Sequence, residues 1–256
     1  MRHAPAGPVA VLSPHLDDAV LSAWSVLRRG EEVRVVNVCT AIPEPGPPPP
    51  WDRLTGAHDR AERMRERLEE DRDALREAGC EGIQLGFLDD QYRAAPLDEQ
   101  ELMAAIEEAV PEASELWAPA GIGAHRDHVQ VRDAALGLGE RGGPTLRLYA
   151  ELPYAARHGW PATITRRRTG QSLAIEDWWA AFLPAGVDSS PTIQPLSRRE
   201  ARRKARALAL YRTQLPALGM GAVRQLTLPG RLRYEVSFAV TTAAPAALAA
   251  PPASAP

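Results

Sequence analysis
Apolar residues along this chain fall into short unbroken runs, separated by longer stretches in which they recur every three or four positions. Short apolar runs bounded by turn residues read as strands, and the longer period reads as helices. Their alternation predicts βαβ units and an α/β fold built on a mostly parallel sheet flanked by helices. Pro8 to Ser13 predicts the first strand, and a helix follows to about Arg29. Val33 to Cys39 is continuous and rich in β-branched residues, as suits a strand buried on both faces. Gly82 to Phe87, Ser114 to Ala118 and Leu146 to Ala150 predict three more strands, with a helix over Glu99 to Val110. Asp59 to Gly79 sets Ala61, Met64, Leu68, Leu75 and Ala78 at helical spacing beneath a dense Arg/Glu face, which predicts an amphipathic helix with solvated charges. Two short candidates around Thr163 and Ser172 would pair as a hairpin. Ser197 to about Leu215 predicts a helix and Leu232 to Val240 a last strand.

Two segments break this rhythm. Ile42 to Pro50 holds six prolines in nine positions, which disfavours both helix and ladder, so residues 41–58 are expected to form one long loop. Such loops serve as lids or binding loops, or stand as surface inserts. Residues 243–256 contain only Ala, Pro, Leu and Ser, too little apolar bulk to offset ordering, and are expected to be disordered. Residues 1–242 are expected to form a single domain.

With 256 residues and a net charge of −3, the chain carries no electrostatic signal for nucleic acid or an anionic membrane. Its two cysteines, Cys39 and Cys80, make no disulfide framework or paired metal motif. No run reads as a signal peptide or a membrane span, so a cytoplasmic protein with a small-molecule partner is expected; the oligomeric state is open.

The chemistry concentrates at two predicted strand ends. Ser13-Pro14-His15-Leu16-Asp17-Asp18 places one imidazole and two carboxylates where the first strand hands over to a helix. Carboxylates there also cap helices, so this motif alone fits either role. After the fourth strand comes Gly121-Ile122-Gly123-Ala124-His125-Arg126-Asp127-His128, whose glycines permit a sharp turn. Three of the chain's six histidines lie in these two loops. If the two strands are neighbours, His15, Asp18 and His128 form a two-His, one-carboxylate set with an open position, the usual arrangement of catalytic zinc. Asp17 is then free to act as general base on a water. His125, oriented by Asp127 and held protonated, would stabilise an oxyanion and protonate a leaving amine.

Together the two motifs resemble the PIG-L (LmbE-like) family of zinc-dependent N-acetylglucosaminyl deacetylases, over about residues 8–240. Pro14-His15-Leu16-Asp17-Asp18 stands for the family's first signature and His125-Arg126-Asp127-His128 for its second. Arg67-x-x-Glu70, Phe87-Leu88-Asp89, and the helix with Lys204, Ala207, Leu208 and Tyr211 ending in Thr213-Gln214 match further family segments. The resemblance implies a Rossmann-like sheet with loop insertions forming a lid. It also implies one Zn2+ per chain on His15, Asp18 and His128, Asp17 as base, and His125 with Asp127 at the oxyanion and leaving group. Arg67 and Asp89 are the candidates for gripping the sugar, and Trp51 for covering an aglycone. The sequence is similar to antibiotic-pathway members of the glycopeptide pseudoaglycone type, so an amino-sugar conjugate is the expected substrate. A longer N-acyl chain, a sugar-thiol or inositol conjugate, or a non-catalytic binding module are the alternatives. The chain departs from the family at Leu16, at Ala19, where an acid would line the site mouth, and at Arg126, whose added charge suits an anionic part of the substrate.

Overall fold
The computed structural model describes residues 7–29, 32–156, 175–188, 190–218 and 233–241. The hairpin expected around Thr163 and Ser172 and the tail 243–256 lie outside them. Among the described residues seven strands form one sheet: β1 (Val9–Ser13), β2 (Val33–Asn37), β3 (Glu81–Gln84), β4 (Glu115–Pro119), β5 (Thr145–Tyr149), β6 (Thr192–Pro195) and β7 (Tyr234–Ala239). Their order is β3-β2-β1-β4-β5-β7-β6. The first five are parallel, while β7 runs antiparallel to both β5 and β6. The chain builds outward from β1 through β2 to β3, then returns to lay β4 on the other side of β1. The β1/β4 pair is thus the switch point of the sheet, outside whose carboxyl ends ligands bind in open α/β folds.

β1 and β4 are buried along their whole lengths, as continuous apolar strands covered on both faces should be. Burying each of Val9, Val11 and Leu12 completely contributes roughly 1.5–3 kcal/mol. The helix expected after β1 is two short ones, α1 (Asp18–Ser22) and α2 (Trp24–Leu27), broken at Ala23. The break has a visible cause. Glu235 of β7 accepts hydrogen bonds from Trp24 N and Ser25 N at 2.8 and 2.7 Å and so caps a new helix start.

The loop expected over 41–58 contains a short helix, α3 (Pro50–Leu54), with proline at its first position, where the missing N–H costs nothing and the fixed φ already suits a helix. α4 (Arg60–Ala78) agrees with its pattern at both ends: Asp59 accepts from Ala61 N and Glu62 N, and Gly79 closes the helix in the left-handed region at φ 81°. Its charges are less solvated than the pattern implies, because Arg63, Arg67, Glu70 and Asp71 lie on the buried face. α5 (Glu99–Ala109) and α6 (Arg126–Glu140) pack on each other. α7 (Ile175–Ala180) and β6 have no counterpart among the expected elements. The late helix is α8 (Arg198–Leu208), packed on α4, with a separate turn of helix, α9 (Leu215–Leu218), after it. Among the described residues no helix is long and apolar enough to cross a membrane.

Candidate active site
The turn leaving β1 is shaped by Ser13, whose hydroxyl donates to His15 O at 2.6 Å and accepts from Ala19 N at 3.0 Å. The Asp18 carboxylate accepts from His15 N at 2.9 Å, which folds the turn over it. Asp17 occupies the cap position of α1, yet its side chain makes no capping bond, so its carboxylate is free to face the cleft. The capping role open to this motif therefore falls away for Asp17.

The turn leaving β4 needs three left-handed residues, Gly121, Gly123 and Ala124. A Cβ on Gly123 would meet the Tyr154 ring at 2.9 Å, so this position requires glycine for space as well as for φ. His125 then caps α6, its Nδ1 accepting from Asp127 N at 3.3 Å, and His128 follows one turn later, fully buried.

Because β1 and β4 are hydrogen-bonded neighbours, the two turns meet. His15 Nδ1, His128 Nε2 and an Asp18 oxygen form a triangle with edges of 3.4, 3.2 and 3.3 Å. Tetrahedral zinc with bonds near 2.0–2.1 Å holds neighbouring ligand atoms about 3.3 Å apart, so the triangle has the right size. The protonation pattern fits as well. His15 Nε2 lies 2.9 Å from Asp127 and His128 Nδ1 3.3 Å from Glu151, so each ring, once neutral, can carry its hydrogen on the outer nitrogen and turn a lone pair inward. Among the described residues two other groupings come within 4.8 Å, His15 with His125 and His128, and His15 with Cys39 and Asp127. The second is the poorer donor set, since burial pushes the Cys39 thiol well up and Asp127 is engaged by Arg93.

Charge is sharply partitioned here. Burial opposes charge on His128, but Asp18 and then Glu151 outweigh it and raise the ring to about 9. Burial also opposes charge on His15, and Asp127 and Asp18 overcome it. Burial, then the adjacent Asp18 carboxylate, lift Asp17 to about 7 against the pull of His15 and Arg67. Asp18 itself is drawn below the usual carboxylate range by His128 and His15, despite its burial.

Two expectations need correcting. Asp127 does not orient His125 through its carboxylate; that group, fully buried, accepts from His15 Nε2, from Arg93 and from Asp90 N. His125 is not held protonated: burial, then the His15 and His128 rings, push it down to about 4. With Nδ1 accepting from the backbone, the neutral ring carries its hydrogen on Nε2 and remains a donor.

His15, Asp17, Asp18, His125 and His128 all open onto one cavity of about 310 Å3. Arg67, Asp89 and Trp51 line it too, so the three sugar-side candidates reach the same cleft. Arg67 is already paired with Asp52 at 2.6 Å, and Asp89 also caps a helical turn at Gln91 N. Arg126 is not a free charge for an anionic substrate, because Asp90 holds it at 2.8 Å. Ala19 is 1% exposed and lies in the core, not at the cleft mouth. Sequence reasoning passed over Glu151, whose signal is an acid two residues beyond the end of β5, at the same sheet edge as the two motifs. It accepts from Gly121 N and Ile122 N as well as from His128, fixing turn and ring together.

Over 172 residues the chain is 31% identical to 2'-N-acetylparomamine deacetylase of Streptomyces fradiae, an alignment that covers 59% of each protein. The chain thus spans under two thirds of that relative. Its fold is similar to that of the A40926 pseudoaglycone deacetylase, with a TM-score of 0.69 at 27% identity over 94% of this chain and 100% of that one. The zinc-inhibited form of teicoplanin deacetylase has the same fold, with a TM-score of 0.69 at 23% identity over 92% and 98% of the two chains. The family model described as GlcNAc-PI de-N-acetylase matches residues 10–138, half of the chain and inclusive of both site turns, and the chain therefore belongs to the PIG-L family.

Proposed function
We propose that this protein is a metal-dependent amidase that removes acetyl from an N-acetylglucosaminyl-type amino sugar carried on a small specialised metabolite. The carrying observation is the triangle of His15, Asp18 and His128, 3.2–3.4 Å on a side, sharing its cavity with an uncapped Asp17. The names of its deacetylase relatives support the same reaction class. A divalent metal, zinc in this reading and one per chain, would supply Lewis acidity to the amide carbonyl and the attacking water.

The protein's own groups supply the rest. Asp17 takes the proton as the water oxygen adds to the carbonyl carbon. A cation on the neighbouring triangle would lower its pKa and keep it ionised for that step. His125 donates its Nε2 hydrogen to the carbonyl oxygen as negative charge develops there. The proton on Asp17 then passes to the amine nitrogen as the carbon–nitrogen bond breaks, giving acetate and a free amino sugar. Asp127 and Glu151 act behind the site, fixing the His15 and His128 rings. Arg67 and Asp89 are assigned to the sugar, and Trp51, 39% exposed at the mouth, to an apolar part of the conjugate.

The test is mass spectrometry of purified protein with N-acetylglucosaminyl conjugates of inositol, aminoglycoside and glycopeptide type, with and without chelator. Acetyl loss that chelation abolishes and zinc restores is the expected result; no metal-dependent acetyl loss from any conjugate overturns the reading. The role of Glu151 has its own readout. Glu151→Gln is expected to weaken zinc affinity about 10–100-fold, measured by competition with a chromophoric chelator. Unchanged affinity would remove Glu151 from the metal's support.

A further inference from the structure
Asp52 lies in α3, within the proline-rich insert, and it is the buried residue of a helix whose other positions face solvent. Its carboxylate is fully enclosed, and both oxygens are used. Oδ1 accepts from Arg67 Nη2 of α4 at 2.6 Å, and Oδ2 accepts from the Tyr92 hydroxyl at 2.6 Å. Burial, then this bond to Asp52, push the Tyr92 phenol up, so it stays a donor. Three separate segments therefore converge on one carboxylate: the insert, α4, and the stretch after β3. Each also lines the catalytic cleft, through Trp51, through Arg67, and through Asp89, Asp90 and Gln91.

Arg67 is 4% exposed and its Nε, also buried, has no partner among the described residues. Nη2 is committed to Asp52 while the residue lines the cleft, so what the guanidinium offers a ligand depends on where Asp52 holds it. Its position depends on its partner at Nη2. A long side chain held at one end by a charge-assisted bond in a dry environment keeps one geometry, whereas an unheld one samples several.

We propose that Asp52 is a positioning residue for substrate recognition: by holding Arg67 in the cleft and pinning α3 and Tyr92 around it, one buried carboxylate presents the sugar-binding guanidinium without touching the sugar. The substrate side of this inference rests on the amino-sugar reading above. A purely structural ion pair would stabilise the fold and leave recognition untouched, so the two roles separate experimentally.

The experiment is a double-mutant cycle on KM and kcat for an N-acetylglucosaminyl conjugate, using Asp52→Asn, Arg67→Ala and the double variant, with thermal melting alongside. Asp52→Asn is expected to raise KM about tenfold with kcat changed less than about twofold, and to add little further in the Arg67→Ala background. Full additivity, or an unchanged KM, overturns the proposal. Asp52→Glu keeps the charge and displaces it by one methylene; it is expected to raise KM as well, and it carries the same decision should the Asn variant fold poorly. A second arm needs no substrate. Arg53, exposed in α3, offers trypsin a cut site that should be cleaved faster in both Asp52→Asn and Tyr92→Phe. Unchanged cleavage in both variants overturns the tether itself. Failure of every conjugate to react would count against the amino-sugar reading, while the proteolysis arm would still decide whether Asp52 tethers α3.

Discussion
Replacing Asp17 by Asn is expected to lower kcat by about 10²–10⁴ while the protein keeps its metal and its fold, as removal of a positioned general base does. The substitution is nearly isosteric, and the Asp17 side chain makes no capping bond whose loss would loosen α1. Asp18, one residue on, keeps its place in the triangle with His15 and His128. The rate loss should therefore appear without loss of zinc by elemental analysis and without a shifted melting curve. The pH profile adds a second sign. A base must be unprotonated to work, so wild-type kcat/KM falls on the acid side as the pH drops through the Asp17 pKa. Asp17→Asn should lose that acid limb along with its activity. Wild-type turnover in this variant would assign the base elsewhere.

The largest stability effect is expected far from the chemistry, at Glu235. Its carboxylate accepts from Lys204 Nζ at 2.7 Å and from the backbone of Trp24 and Ser25 at the start of α2. Lys204 is fully buried. Glu235→Leu strands an ammonium without a counter-charge and orphans two N–H groups, so unfolding free energy should drop by about 3–5 kcal/mol. For a chain of this length that corresponds to a fall of roughly 10 °C in Tm. Lys204→Met should cost less, because Glu235 keeps both backbone donors. Denaturant or thermal unfolding of the pair tests the ranking, and equal losses would show that the backbone caps carry no weight. Although Lys204 stands in a segment resembling a family motif, its place is the core beneath α8 and β7, not the cleft.

Where one physical rule dominated, the sequence was readable. β1 and α4 are delimited by a buried apolar run in one case and by an Asp cap and a left-handed glycine in the other. The two turns that carry the His/Asp motifs were readable because their residues are close in sequence and each follows a strand. What escaped depends on partners far away along the chain. The break at Ala23 is imposed by Glu235, more than 200 residues on. Asp127 turns to His15 and Arg93 instead of His125, a choice made by three-dimensional placement and invisible to spacing. α3 hid in the proline run because proline forbids helix interiors yet suits a first position. The buried stripe Arg63, Arg67, Glu70 and Asp71 did leave a signal: charges recurring at the period of the apolar face. Read as solvated, they concealed how much of α4's charge is buried against the rest of the fold.

The hydrogen-bonded adjacency of β1 and β4 gives the proposed reactive set a different support from the groups that would choose a substrate. The former sits at the ends of central strands whose register fixes it, and the latter are spread over the insert, α4 and the stretch after β3. Exchange of residues 41–58 between relatives would carry Trp51 and the Asp52 tether with it while leaving the turns after β1 and β4 in place. A lineage could diversify its conjugates by remodelling surface loops and never have to reinvent its reaction.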